Sequence, residues 1–301
     1  MNLQTLVNLP PWQWPSNKAG EIIANVLRDK NAPASDRVLA AELAGDIVVM
    51  DDNMADLLLS LVRDNSEPEK LRCKSAISLG PSLEYADTME FDGYYEDDTL
   101  SEEKFNEVRE SLRAIHQDAG MPKNLRRYVL EAAVRSPMDW HKKAIQTAYS
   151  SNEQDWVLTA VFCMGYVRGF EDQVLASLEN ENPGIFYEAV CAAGNWGIEA
   201  AWPYINELLN REDIDKALLI AAIDAAATTN PTGAVDILDE FASSDDEDIA
   251  EAAEEALFNA GIATDDLLDD DDDYDEDEDD YDDEDEDDED EDDDEEEDER
   301  F

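Results

Sequence analysis

A run of small and apolar residues returns along this chain at a nearly fixed interval. VLAAELAG ends at Gly45, KSAISLG at Gly80, LEAAVRS at Ser136, AVFCMG at Gly165, AVCAAG at Gly194, AAIDAAA at Ala227 and EEALFNAG at Gly261, with successive ends 35, 56, 29, 29, 33 and 34 residues apart. Apolar residues recur around them at offsets of three and four, as in Met54, Leu57, Leu58, Leu61 and Val62, in Phe105, Val108, Leu112 and Ile115, and in Ala234, Ile237, Leu238 and Phe241. That spacing is one face of a helix. No segment alternates as a strand. Each of the first six segments is followed by a second helical stretch, at 54–63, 102–117, 138–149, 171–178, 198–209 and 232–242. Two helices per unit and a period near 30 predict an all-α chain in which each pair buries its apolar face only by stacking on its neighbours. Small residues at the helix ends allow close approach there. Ser66-x-x-Glu69 and Ser244-x-x-Glu247 read as capping boxes, and Pro122, Pro183 and Pro231 suit first-turn positions.

The expected organisation is an N-terminal cap over 1–33, a helical array over 34–264 and an acidic tail over 265–301. The cap carries Leu9-Pro-Pro-Trp-Gln-Trp-Pro15, which is expected to cover the open apolar end of the first repeat. The long second interval holds an insertion at 84–98, EYADTMEFDGYYEDD. It sets Tyr85, Phe91, Tyr94 and Tyr95 among acids, as a candidate partner-contact loop between the two helices of the second unit.

Charge bounds the partners. The chain carries a formal net charge of −58, and 265–301 holds 31 Asp or Glu against one Arg. With so few apolar groups and such self-repulsion the tail is expected to be disordered, reaching about 35 Å as a flexible coil. It lacks the spaced ligands and turn glycine of an EF-hand loop. The remaining residues hold 48 acids against 20 bases, a sign that opposes direct binding to nucleic-acid phosphates. A partner with a basic surface suits it better. Lys123, Arg126, Arg127, Arg135, Lys142 and Lys143 are six of the 21 basic residues within 21 positions, a candidate basic patch. Arg126 and Arg127 fall on the first helix of their unit and Lys142 and Lys143 on its second, so the two pairs are expected to face opposite surfaces and not to form one pocket.

The N-terminal residues lack the basic start, apolar core and cleavage site of a signal peptide, and no apolar run reaches about 18 residues. A cytoplasmic protein with no membrane association is expected. Cys73, Cys163 and Cys191 lie far apart inside helical runs, the usual setting of buried small hydrophobes. Trp140, Trp156, Trp196 and Trp202 fall near helix ends and are expected to pack between units. Nucleotide-loop and nucleophile-elbow motifs are missing.

The repeated Ala-rich motifs, together with unit-opening clusters such as Ser35-Asp36, Asn152-Glu153 and Asp245-Asp246-Glu247, resemble the HEAT family over roughly residues 34–261. The likeness is to the short HEAT-like repeats first noted in phycobilisome lyases. It implies an α-solenoid of about seven helical pairs, the last incomplete, and a role as a binding scaffold. Enzymes occur among HEAT-like proteins. The deoxyhypusine hydroxylases hold two irons with repeated His-Glu pairs, but here His116 precedes Gln117 and His141 precedes Lys142. The alkylpurine DNA glycosylases grip DNA on a basic face, contrary to this charge. The expectation is a non-enzymatic scaffold or adaptor with no cofactor, no metal and no specific small molecule. Alternatives are a polyanionic chaperone or nucleic-acid mimic for basic proteins, and an iron or tetrapyrrole-linked enzyme.

Overall fold

The computed structural model describes residues 2–15, 18–89 and 100–261. Three of its loops spell one pattern: Asp29, Pro33, Arg37; Asp64, Pro68, Arg72; Asp118, Pro122, Arg126. Each Asp closes the preceding helix and turns its carboxylate onto the N–H two residues on, of Asn31 at 2.9 Å, Ser66 at 2.8 Å and Gly120 at 2.8 Å. Each Pro precedes the next helix with its ring-fixed φ of −53° or −57°. Each Arg then donates its Nε–H back to a carbonyl of the preceding helix, Leu27 at 3.1 Å, Val62 at 2.9 Å and His116 at 2.7 Å. Those carbonyls lie in the last helical turn, where no intrahelical donor remains. One local code therefore ends a helix, turns the chain and starts the next.

The helices among the described residues are α1 Leu3–Val7, α2 Ala19–Arg28, α3 Ala34–Leu43, α4 Asp52–Arg63, α5 Glu69–Ile77, α6 Gly80–Met89, α7 Glu102–Gln117, α8 Lys123–Ala133, α9 Asp139–Tyr149, α10 Gln154–Met164, α11 Glu171–Ser177, α12 Pro183–Asn195, α13 Trp202–Leu209, α14 Lys216–Thr229, α15 Pro231–Ala242 and α16 Glu247–Asn259. Strands are absent from these residues. The first helices α3, α5, α8, α10, α12, α14 and α16 pack side by side in chain order. Their second helices α4, α7, α9, α11, α13 and α15 form a more open layer. This is the stacked-pair architecture of a HEAT- or armadillo-like solenoid.

Small residues at the ends of the first helices make that close stacking possible. A Cβ added at Gly45 would meet Ser78 at 3.0 Å, and one at Gly194 would meet the Ala225 backbone at 2.8 Å. Across the junction of α12 with α14 Thr228 Oγ1 donates to the Gly194 carbonyl at 2.7 Å, and across that of α10 with α12 Trp196 Nε1 donates to that of Met164 at 2.6 Å. Gly194→Ala is expected to push α12 from α14 and destabilise the chain by about 1–3 kcal/mol. Gly184→Ala, in the first turn of α12, would meet only ordinary contacts of 3.4 Å and beyond; there the better helix propensity of Ala is expected to leave stability unchanged or slightly raised. Paired thermal melts of the two variants test this.

At the N-terminus, Trp14 is buried and its indole N–H is shared between the carbonyls of Leu6 and Leu9, both at 3.0 Å. This bond ties the Pro-rich turn to α1, which packs on α2 and α3. Two start signals fall elsewhere than the sequence suggested. Ser66 bonds Asp64 and Pro68 precedes α5, while Ser244 accepts from the Asp246 N–H and Asp246 itself caps α16. The insertion opens as helix α6, anchored by Arg135 on Glu84 and by Ser136 Oγ on Asp87 at 2.8 Å.

Candidate functional site

The structure rearranges the expected basic patch. Neighbours on a helix diverge by about 100°, so neither Arg126 with Arg127 nor Lys142 with Lys143 acts as a pair. Lys123, Arg126 and Lys143 instead converge on one cavity of about 540 Å³. Arg127 turns to Glu131 and Thr159, each at 3.1 Å. Arg135 bridges to Glu84 and lies over the Phe162 and Tyr166 rings at 5.7 and 5.6 Å. Lys142 is exposed on α9.

The cavity is lined from α7, α8, α9 and the start of α10, with Trp140, Trp156 and His116 as its aromatic walls. Trp140 packs against both groups of core residues, the one running from Leu3 to Ala133 and the one from Leu130 to Leu257. His116 Nδ1–H donates to the Arg126 carbonyl at 3.0 Å, and its ring centroid is 5.2 Å from Trp140 and 6.3 Å from Trp156. Lys123 is paired with Glu153 at 2.9 Å. Among the described residues Lys143 has no ion pair and the buried Trp140 Nε1–H has no acceptor.

Charge is unevenly divided between the two halves of the array. Residues 171–261 carry 21 acids against only Arg211 and Lys216, and Lys216 is itself held by Asp246 and Asp248 at 2.6 Å each. Asp236, Asp239, Glu251 and Glu254 are exposed. Acids that lie deeper keep their protons more readily: burial raises Glu131 and Asp224 above the usual carboxylate range and pushes Glu188 up to about 7.

Both histidines, Cys73 and Cys163 are buried, and Cys191 is half-buried. His141 accepts the Met138 N–H on Nδ1 at 2.8 Å and stacks on Trp140 with centroids 3.9 Å apart. Burial holds both imidazoles neutral, His141 down to about 4. It also raises the Cys73 and Cys191 thiols to about 11 and Cys163 higher than usual, so none is a ready nucleophile. Among the described residues no three His, Cys, Asp or Glu converge as metal ligands, and no helix is long and apolar enough to cross a membrane.

Of the candidate contact loop, Tyr85 is half-buried on α6. Phe91, Tyr94 and Tyr95 lie outside the described residues, as does the acidic tail. The repeated Asp-Pro-Arg code and the crowding of acids after residue 171 are both present in the sequence, yet neither was anticipated. Aligning the loops instead of the helices exposes the first, and summing charge by repeat exposes the second.

No family model and no curated protein matches this sequence. Solved structures that resemble it include E. coli YibA, at 15% identity over 82% of this chain and 82% of that one with a TM-score of 0.43. Human deoxyhypusine hydroxylase in complex with glycerol shares 15% identity over 87% of this chain and 95% of that one, TM-score 0.38. A computationally designed armadillo repeat protein for modular peptide recognition shares 14% over 80% and 99%, TM-score 0.29.

Proposed function

We propose that this chain is a non-enzymatic binding scaffold whose helical array recognises a protein partner with a basic surface. The observation that carries this is the unbalanced negative charge of residues 171–261, set on rigid helices and left with two basic residues to offset it. A one-signed surface of this kind steers an oppositely charged partner and raises its association rate. The acidic tail adds long-range attraction of the same sign. Burial disfavours the imidazolium of both histidines and the thiolate of all three cysteines, which favours a scaffold over an enzyme that would use them.

The four exposed acids supply the test. Asp236→Asn, Asp239→Asn, Glu251→Gln and Glu254→Gln are combined in the full chain, and proteins captured from native lysate are compared with those held by the unchanged chain. Loss of a discrete partner, with the thermal melt preserved, is the expected result. Unchanged capture would place recognition elsewhere.

A further inference from the structure

The three loop arginines are equivalent in position and unequal in what they hold. In the first unit, Arg37 is clamped by both oxygens of Glu67, at 2.6 and 2.9 Å. Glu67 sits immediately before the capping proline of the next unit. In the second unit the same place is filled by Met121, whose sulfur lies 3.3 Å from Arg72 Nη2. In the third it is filled by Asn152, exposed and in the left-handed region at φ 59°. Arg126 keeps its Nε bond to His116, and no described side chain is hydrogen-bonded to its terminal nitrogens. Arg126 lines the cavity shared by Trp140, Trp156, Lys123 and Lys143.

The array thus shows in its first unit which group fits this guanidinium, a carboxylate meeting it fork to fork. In the third unit the same arginine lines a cavity together with two indoles, Lys143 and the ion pair of Lys123 with Glu153. We propose that this cavity binds an aromatic carboxylate, with the carboxylate on Arg126 and Lys143 and the ring against Trp140 and Trp156. A cavity of about 540 Å³ is within the range that small ligands occupy, and mostly apolar walls with a few fixed polar groups are the common design. Indole faces take a flat ring by offset stacking. The chemistry is shared by a free aromatic acid and by a peptide in which an acidic residue adjoins an aromatic one. This site is independent of the acidic surface proposed to hold a basic partner.

Calorimetric titration of the full chain with 2-naphthoate, with its neutral analogue 2-naphthamide and with the peptide Asp-Asp-Tyr-Asp tests the site. Saturable 1:1 binding of the naphthoate or the peptide is expected, at about 1 mM or tighter, with the amide at least tenfold weaker. A peptide tenfold tighter than the free acid identifies a protein segment as the source, and the reverse order identifies a small molecule. Lys143→Glu, an exposed change, is expected to weaken binding at least tenfold without moving the melt. Arg126→Gln is expected to do the same at some cost in stability. Failure of both carboxylates to bind, or binding indifferent to Lys143→Glu and to the loss of the ligand's charge, would overturn the proposal.

Discussion

Glu67→Ala is expected to destabilise this chain by about 3–5 kcal/mol, more than any single surface change, because it strands a buried guanidinium. Arg37 and Glu67 are each less than a tenth exposed, at 6% and 7%. The pair makes two charge-assisted bonds, and Arg37 also donates twice to the Leu27 carbonyl, through Nε at 3.1 Å and Nη2 at 2.8 Å. Removing the carboxylate leaves the charge desolvated with only a carbonyl to face. For a chain of this size the melting temperature is expected to fall by about 8–15 °C. Replacing both partners with apolar residues, Arg37→Met with Glu67→Leu, is expected to recover part of the loss. A buried ion pair can be exchanged for hydrocarbon at little cost, whereas half of one cannot be removed so cheaply. A double variant no more stable than Glu67→Ala would show that the bonds to Leu27 dominate.

The second large effect is acid sensitivity centred on His141. Its residue is fully buried, and burial holds its pKa down at about 4 in the folded chain, against about 6.5 in an unfolded one. A depressed histidine contributes stability that is complete above pH 6.5 and is lost as the pH falls toward 4, because the unfolded chain takes up the proton first. The contribution is about 3 kcal/mol. Trp140 stacks on this ring, and the positive charge of Arg109, joined by His116 once that ring takes up a proton, also disfavours the imidazolium. His141→Gln retains an acceptor for the Met138 N–H and removes the titration. Denaturant midpoints from pH 7.5 to 4 are expected to show the unchanged chain losing about 3 kcal/mol more than the variant. Parallel curves would mean that the ring is hydrated or already paired.

The helical units were legible because close packing leaves a local mark. Gly45, Gly165 and Gly194 are small where a neighbouring helix approaches, so the requirement appears as a residue type at a fixed place. The second helices announced themselves through three- and four-residue spacing, and α4, α7 and α9 begin within two residues of expectation. Where the boundaries moved, a local force outranked the pattern. The helix expected from Ile198 begins at Trp202, after a 3-10 turn at Glu199–Ala201, because Pro203 belongs in a first turn. The inserted segment formed α6 because Glu84 and Asp87 find partners at the end of α8.

The cavity was not legible. Arg126 and Lys143 stand seventeen residues apart on different helices, and which of two adjacent cations faces the cavity depends on helix phase and on the neighbouring unit. The expectation that the two pairs face opposite surfaces and share no pocket failed for that reason, since Arg126 and Lys143 line one cavity. The loop arginines show the general point more sharply: Arg37, Arg72 and Arg126 share one motif and one backbone bond, and what each meets from the next unit differs with Glu67, Met121 and Asn152.

The scaffold account stands or falls on where recognition resides. Affinity capture from native lysate, with the intact chain beside a version ending at Thr264, measures this directly once the bound proteins are identified by mass spectrometry. The account predicts that both versions hold the same discrete partner, the shorter one associating more slowly at low salt. If the shorter version loses every bound protein and those proteins are broadly basic, the acidic tail is the binder, and the claim that the helical array does the recognising is contradicted.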